Sequence, residues 1–209
     1  MFGTHDLALF VVSGLLLNIA PGPDTLYILT RTTSRGWRGG ATAALGIATG
    51  CFVHIFAAAL GLSALIAASA TAFTVLKWVG GAYLVWLGIV MFRARPLDLG
   101  AAKQAPRQRL RRIFAEGFAT NVLNPKVALF FLALLPQFID PNANYKALAF
   151  IFLGCVFNFN ATLWNLFVAW SATRVARRVK DSAMIRLWTN RLVGGVFVYL
   201  GVRLALATH

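Results

Sequence analysis

Six apolar runs divide the chain, at about Leu7–Thr30, Ala41–Ala68, Thr71–Phe92, Ile113–Leu135, Ala147–Thr173 and Leu187–Ala207. No Asp, Glu, Lys or Arg occurs between Arg38 and Lys77, and none between Lys146 and Arg174. One bilayer crossing takes ~20 predominantly apolar residues. The first gap therefore fits a helical hairpin and the second a single span. Lipid offers backbone groups no partner, so each run is predicted to be a helix that satisfies its own hydrogen bonds. The short alternating strands of a membrane barrel do not occur in this pattern. The expected fold is an all-α polytopic membrane protein with six transmembrane helices.

Composition agrees. Of 209 residues, 59% are hydrophobic and 12% charged, with a mean hydropathy of +0.71. A soluble domain of this size needs more polar surface. The formal charge of +14 would suit a nucleic-acid binder, but the basic residues cluster between the apolar runs, where they act as a topology signal. The first loop holds Arg31, Arg35 and Arg38. The third holds Arg93, Arg95, Lys103, Arg107, Arg109, Arg111 and Arg112, and the fifth Arg174, Arg177, Arg178, Lys180 and Arg186. Loops two and four offer little beyond Lys77 and Lys146. The odd loops are thus expected on the cytoplasmic side of the membrane, with N- and C-terminus outside. The run Arg107–Arg112 reads as an anchor beside anionic lipid. The first span lacks a basic n-region before it and is expected to stay in the mature protein. Cys51 and Cys155 fall in apolar runs and read as small packing residues.

The two halves of the chain resemble each other. Gly14-x3-Asn18 before Pro21-Gly22-Pro23-Asp24 corresponds to Gly117-x3-Asn121 before Asn124-Pro125-Lys126. In the second helices, Gly50-Cys51-x2-His54 corresponds to Gly154-Cys155-x2-Asn158. In the third, Lys77-x-Val79-Gly80-Gly81 with Gly88 corresponds to Arg191-x-Val193-Gly194-Gly195 with Gly201. Residues 1–209 therefore read as one transmembrane transporter domain: repeat one at 1–92, a basic linker at 93–112 and repeat two at 113–209. Three spans per half put the second half upside down relative to the first, an arrangement that recurs in secondary transporters.

Helices one and four are expected to break. Pro21, Gly22 and Pro23 interrupt an apolar run, and Pro both removes a backbone donor and clashes with the preceding turn. In the other half, Asn124 can cap a new helix start with Pro125 at its first position. Paired interruptions in matching helices point to a binding site near the bilayer midplane, and a new helix start attracts anionic groups. Two packing kinks would be the plainer explanation.

Asp24 and Lys126 follow the two breaks. An ionisable side chain near the bilayer centre costs at least ~2.5–3.5 kcal/mol on insertion scales, so it carries a function or has a partner. The pair matches the ammonium and carboxylate of an amino-acid zwitterion. It also suits a mutual structural lock, or an Asp24 that merely caps its half-helix, or a pair that opens when substrate enters. Asn18, Asn121 and Asn124 can hydrogen-bond substrate or bridge helices. His54 and Asn158 hold equivalent places in the repeats. Asn158, Thr162 and Asn165 share one helical face, expected to point inward. Gly46-x3-Gly50 permits close helix packing, as do Gly80-Gly81 and Gly194-Gly195. No zinc spacing, nucleotide loop or nucleophile constellation is present, so neither an enzyme nor a cofactor or metal site is expected.

At these residues the chain resembles the lysine-exporter and homoserine/threonine-resistance (LysE/RhtB) translocator family. The carriers are Pro21-Gly22-Pro23-Asp24, Arg35-Gly36-x2-Gly39 with Leu45-Gly46, Asn121-x2-Asn124-Pro125-Lys126, and Leu135-Pro136-Gln137-Phe138. The resemblance implies export of amino acids or close derivatives from the bacterial cytoplasm, driven by the membrane ion gradient, with Asp24 and Lys126 as the leading pair. The function expected is secondary active export by alternating access, proton-coupled, with neutral amino acids such as threonine, homoserine or leucine favoured over basic ones. The expected substrate-binding set is Asp24, Lys126, Asn18, Asn121, Asn124, Gly22, Asn158 and His54. The partners expected are the amino acid, a proton or other coupling ion, and membrane lipid, without nucleic acid; a homo-oligomer is left open. The alternatives are a cation or metal-ion efflux protein and a non-transporting membrane assembly subunit.

Overall fold

The computed structural model describes residues 2–64, 108–140 and 142–175, together with isolated positions between 71 and 93 and between 191 and 202. The third and sixth apolar runs, the linker and the fifth loop lie largely outside the described residues, and with them the glycine correspondence of the third helices. Every regular element described is helical: α1 (Leu7–Ile19), α2 (Pro23–Ala57) continued by a π-helical turn (Ala58–Leu62), α3 (Leu110–Val122), α4 (Pro125–Ala133) followed by a 3-10 turn (Leu135–Phe138), and α5 (Lys146–Val175). These helices are apolar enough for a membrane protein. α2 with its π-turn and α5 each pass the length for a crossing, and the bent pair α3–α4 adds another if taken as one span.

The 40 residues from Pro23 to Leu62 do not form one straight rod. At 1.5 Å per residue such a rod would reach ~60 Å, about twice the ~30 Å hydrocarbon core. Gly36 interrupts it with φ +66° and ψ −160°, a conformation open to glycine and costly for other residues. Beyond the interruption, a Cβ on Gly39 would run into the Arg31 carbonyl, and one on Gly40 into the Thr32 side chain. Residues eight apart touch, so the chain doubles back. α2 is therefore two arms, 23–35 and 37–57, and the loop expected at Arg31–Arg38 shrinks to one non-helical residue.

Both expected breaks occur. α1 ends at Ala20 in extended backbone, and α2 starts with Gly22 as its cap and Pro23 at its first position. α3 ends at Leu123, and α4 starts with Asn124 as its cap and Pro125 at its first position, bent by 45° from α3.

Small residues set how closely the helices pack. On the second arm of α2, Gly46 lies against the backbone of Phe114 and Phe118, and a Cβ on Gly50 would come within 2.6 Å of the Phe118 carbonyl. In return, a Cβ on Gly117 of α3 would come within 2.7 Å of the Ala43 carbonyl. Backbone-to-backbone contact of this kind drives helix association in lipid, where apolar burial cannot. Phe130 of α4 stacks on Phe157 of α5 with ring centroids 4.7 Å apart, and Phe10 of α1 meets Phe138 edge-on at 5.2 Å. Pairs like these add about 0.5–1.5 kcal/mol each beyond the area they bury. The N-terminal residues are pinned to the same end, with His5 N–H donating to the Phe138 carbonyl at 3.1 Å and Asp140 N–H to the Gly3 carbonyl at 2.8 Å.

α5 is apolar outside and partly polar inside. Phe159, Leu163, Phe167 and Trp170 face outward, whereas Asn158, Ala161 and Asn165 are buried. That polarity suits a helix with lipid on one side and a polar interior on the other.

Gly46→Ala should lower the thermal stability of purified protein in detergent by about 1–3 kcal/mol, as overpacking does elsewhere. Gly61→Ala, whose Cβ meets nothing within 4 Å, should leave the melting curve in place. Equal behaviour of the two variants would remove the close α2–α3 contact from the account.

Candidate functional site

Between the broken helices lies a cavity of about 30 Å³, lined by residues of α1, α2, α3, α4 and α5. A water needs at least ~10–15 Å³, so in this conformation the space fits one or two waters and is too small for an amino acid. Its polar lining is Asn18, Asp24, Thr25, Asn121, Asn124, Lys126, Asn158 and Asn165, and its apolar lining includes Leu17, Ile47, Cys51 and Phe157.

The two charges sit where helix ends favour them. Asp24 is at the second position of α2, in the partial positive field of a helix N-terminus. Lys126 is at the second position of α4, but its side chain reaches the C-terminus of α1. There Nζ donates to the Leu17 and Ala20 carbonyls, both at 2.6 Å. It thus answers two acceptors released by the break, at the partial negative end of α1. Asp24 accepts from Asn121 Nδ2 at 2.8 Å through Oδ2. Asp24 and Lys126 form no direct ion pair; each is held by backbone or amide groups. Gly22 borders the arrangement: a Cβ there would stand in ordinary van der Waals contact with the Lys126 side chain, 3.4 Å from Cδ and 3.6 Å from Nζ.

The other expected residues are placed as follows. Asn124 caps α4 by accepting from Lys126 N–H at 3.0 Å. Asn158 lines the cavity and donates from Nδ2 to the Ala48 carbonyl at 3.1 Å. His54 lies outside the lining; its Nε2 is 3.0 Å from the Asn121 carbonyl at the end of α3, which also accepts from Asn124 N–H at 2.9 Å, and its ring sits beside Phe131. Since a carbonyl only accepts, Nε2 carries the proton of this bond. Thr162 bonds back to the Asn158 carbonyl on its own helix. Pro21, Pro23 and Pro125 mark the breaks.

Three buried polar atoms at the cavity have no hydrogen-bond partner in the protein: Asn18 Nδ2, Asp24 Oδ1 and Asn121 Oδ1. Unpaired buried groups cost roughly 1–3 kcal/mol each, so a cluster of them marks a place prepared for something polar. One donor and two acceptors, one of them an oxygen of the Asp24 carboxylate, stand beside the Lys126 ammonium and match both ends of a zwitterion.

One group escaped the reading of the chain. Glu116 on α3 receives Arg31 Nη2 at 3.0 Å, Arg112 Nε at 2.8 Å and the Tyr27 hydroxyl at 3.1 Å. A signal for it existed: Asp24 and Glu116 are the two acids that fall inside apolar runs. Cys51, expected as a small packing residue, is buried in the cavity wall.

A family model described as LysE type translocator matches residues 15–208. The chain is 33% identical over 201 residues to the homoserine/homoserine lactone efflux protein of Salmonella typhi, covering 96% of each chain. It is 30% identical over 204 residues to the leucine efflux protein of Klebsiella pneumoniae, covering 98% of this chain and 96% of that one. It is also 30% identical over 211 residues to the membrane protein YrhP of Bacillus subtilis, covering 97% of this chain and 100% of that one. No solved structure matches.

Lys126→Met should leave the Leu17 and Ala20 carbonyls without a donor and lower stability in detergent by about 1–3 kcal/mol per acceptor left bare. Asn124→Ala should lower it by about 1 kcal/mol through loss of the cap. Wild-type melting of Lys126→Met would mean that the ammonium does not hold α1.

Proposed function

Since this chain belongs to the LysE type translocator family, we propose that it is a secondary active exporter of neutral amino acids, working by alternating access. The observation that carries the reading is the cavity at the two helix breaks, where Asn18 Nδ2, Asp24 Oδ1 and Asn121 Oδ1 stand unpaired beside Lys126. In this proposal the substrate ammonium docks on Asp24 and Asn121 Oδ1. Its carboxylate docks on Asn18 Nδ2 and the third donor of Lys126, whose other two hold α1. Asn124 and Gly22 shape the site through the backbone, and Asn158 closes the side-chain end. His54 acts at one remove, by holding the end of α3.

The preference for neutral cargo follows from charge. Among the described residues Asp24 is the one acid lining the cavity, and the α-ammonium occupies it, so a basic side chain would enter without a counter-charge from them. The names of the relatives, which specify homoserine, homoserine lactone and leucine efflux, point the same way.

An inverted-repeat architecture accounts for how such a site opens. The bonds from Lys126 to α1, Asn121 to Asp24, Asn158 to Ala48 and His54 to Asn121 each cross from one proposed repeat to the other. His54 and Asn158, equivalent in the repeats, both approach a backbone carbonyl in the opposite half. Rocking of the halves would break these bonds and widen the cavity to either side. The basic residues support a topology with the Arg31–Arg38 and Arg109–Arg112 end in the cytoplasm of a bacterial inner membrane and the termini outside. Protonation of Asp24 from outside would remove the anchor for the ammonium and couple efflux to proton entry. Lys126 of α4, Cys51 in the cavity wall and His54 of α2, behind Asn121, are the other titratable groups around it among the described residues.

Counterflow in proteoliposomes with a panel of amino acids tests the reading. We expect exchange of one or a few neutral amino acids, accelerated by an imposed proton gradient. Asp24→Asn loses a charge-assisted contact of about 1.5–3 kcal/mol, or ~10- to 100-fold in apparent affinity, and should lose the gradient response. Exchange of basic amino acids alone would overturn the specificity argument. Absence of all amino-acid exchange in folded protein would turn the reading to cations.

A further inference from the structure

Beyond the cavity, charge gathers once more among the described residues, where the buried Arg31 meets the half-buried Glu116. Arg31 and Tyr27 reach it from the first arm of α2, Arg112 from its own helix, and Gln108 Nε2 from the segment before α3 at 3.3 Å. The Tyr27 hydroxyl also lies 2.9 Å from the Ile113 carbonyl, and the Arg31 guanidinium sits 5.1 Å above the Tyr27 ring. Arg31 is only 9% exposed, yet it engages Glu116 through Nη2 alone; Nε and Nη1 are buried with no partner. A guanidinium normally presents its donors as a fork to one planar anion, and here half of that fork is unused.

Asp24, Tyr27 and Arg31 follow i, i+3, i+7 on one face of the arm. Arg31 therefore stands ~10 Å from Asp24 along the helix, at 1.5 Å per residue, towards the basic end. α3 runs alongside and carries Asn121 opposite Asp24 and Glu116 opposite Tyr27 and Arg31. Two rungs thus join the same pair of helices, one at the cavity and one between the cavity and the basic end. Gly117 lies between them, where a Cβ would come within 3.4 Å of the Tyr27 ring.

We propose that Tyr27, Arg31 and Glu116 form the gate on the cytoplasmic side of the cavity, and that Arg31 is the docking point for the carboxylate of an incoming amino acid. The ligand's identity rests on the exporter reading; the gate does not. A substrate carboxylate is the same chemical group as the Glu116 side chain, so it can take its place on Nη2 and complete a fork with one neighbouring unused donor, Nε or Nη1. Glu116, released from Arg31, keeps Arg112 and Gln108, so opening leaves no bare charge on α3. No bond is made or broken beyond these hydrogen bonds.

Cys51 reports on the gate, because it lines the cavity and is 2% exposed. With Cys155→Ala it is the chain's one remaining thiol, and its alkylation by a small maleimide can be followed in inside-out vesicles without substrate. Glu116→Gln and Arg31→Gln should each speed alkylation about tenfold, by populating an open state that is minor in the parent. The exchange of charges, Arg31→Glu with Glu116→Arg, should bring the rate back down. Unchanged alkylation in both single variants would overturn the gate. So would fast alkylation that charge exchange fails to slow, because a loosened fold would then be the cause. For an amino acid that the parent exchanges, Arg31→Lys should raise KM with little change in kcat, since one point donor replaces the fork. An unchanged KM would overturn the docking role. An altered gate without amino-acid exchange would sink the exporter reading alone, and intact exchange with an unaltered gate would sink this proposal alone.

Discussion

A helix interrupted inside a bilayer releases carbonyls and amides that lipid cannot satisfy, and each must be answered from within the protein. The described structure is organised around that demand. The C-terminus of α1 is answered by the Lys126 ammonium, the C-terminus of α3 by the Asn124 N–H together with the His54 ring, and the N-terminus of α4 by the Asn124 side chain. Polar and charged groups are held in the interior because the backbone there is open. Where they converge, more polar capacity is present than the backbone consumes, and the surplus atoms face a cavity.

The same demand dictates the packing around the breaks. Lys126 can reach Leu17 and Ala20 only if α4 lies against α1, and the phenylalanines of α1, α4 and α5 hold that contact. Asn121 can reach Asp24 only if α3 lies close to α2, which Gly46, Gly50 and Gly117 permit by bringing backbone onto backbone. The sharp turn at Gly36 returns the chain so that both arms of α2 meet α3. Aromatic packing and glycine contacts thus position a site whose own bonds, being few and polar, can be exchanged for bonds to a ligand.

Much of this was legible along the chain. Pro21-Gly22-Pro23 and Asn124-Pro125 announce breaks because proline cannot continue a helix, and Asn124 caps as its position suggests. The inward face of α5 follows from Asn158 and Asn165 among apolar residues. Less could be read where partners are remote. The acceptors of Lys126 are backbone carbonyls 106 and 109 residues away, and carbonyls leave no mark in a sequence. The turn at Gly36 was hidden for a different reason: its arginines fit a helix as well as a loop, so one glycine bears the whole reversal. Glu116 did carry a signal, an acid in an apolar run, but its pairing with Arg31 becomes visible only when the first arm of α2 is laid beside α3.

The account stands or falls on whether the surplus polar atoms at the two breaks receive an amino acid. The most direct measurement is a structure of the protein determined with an exchanged neutral amino acid bound. The account predicts ligand density between the ends of α1, α2, α3 and α4, with its ammonium against Asp24 and Asn121 and its carboxylate against Asn18 and Lys126. An amino acid bound elsewhere, with Asp24 Oδ1 and Asn18 Nδ2 still unpaired, would contradict it.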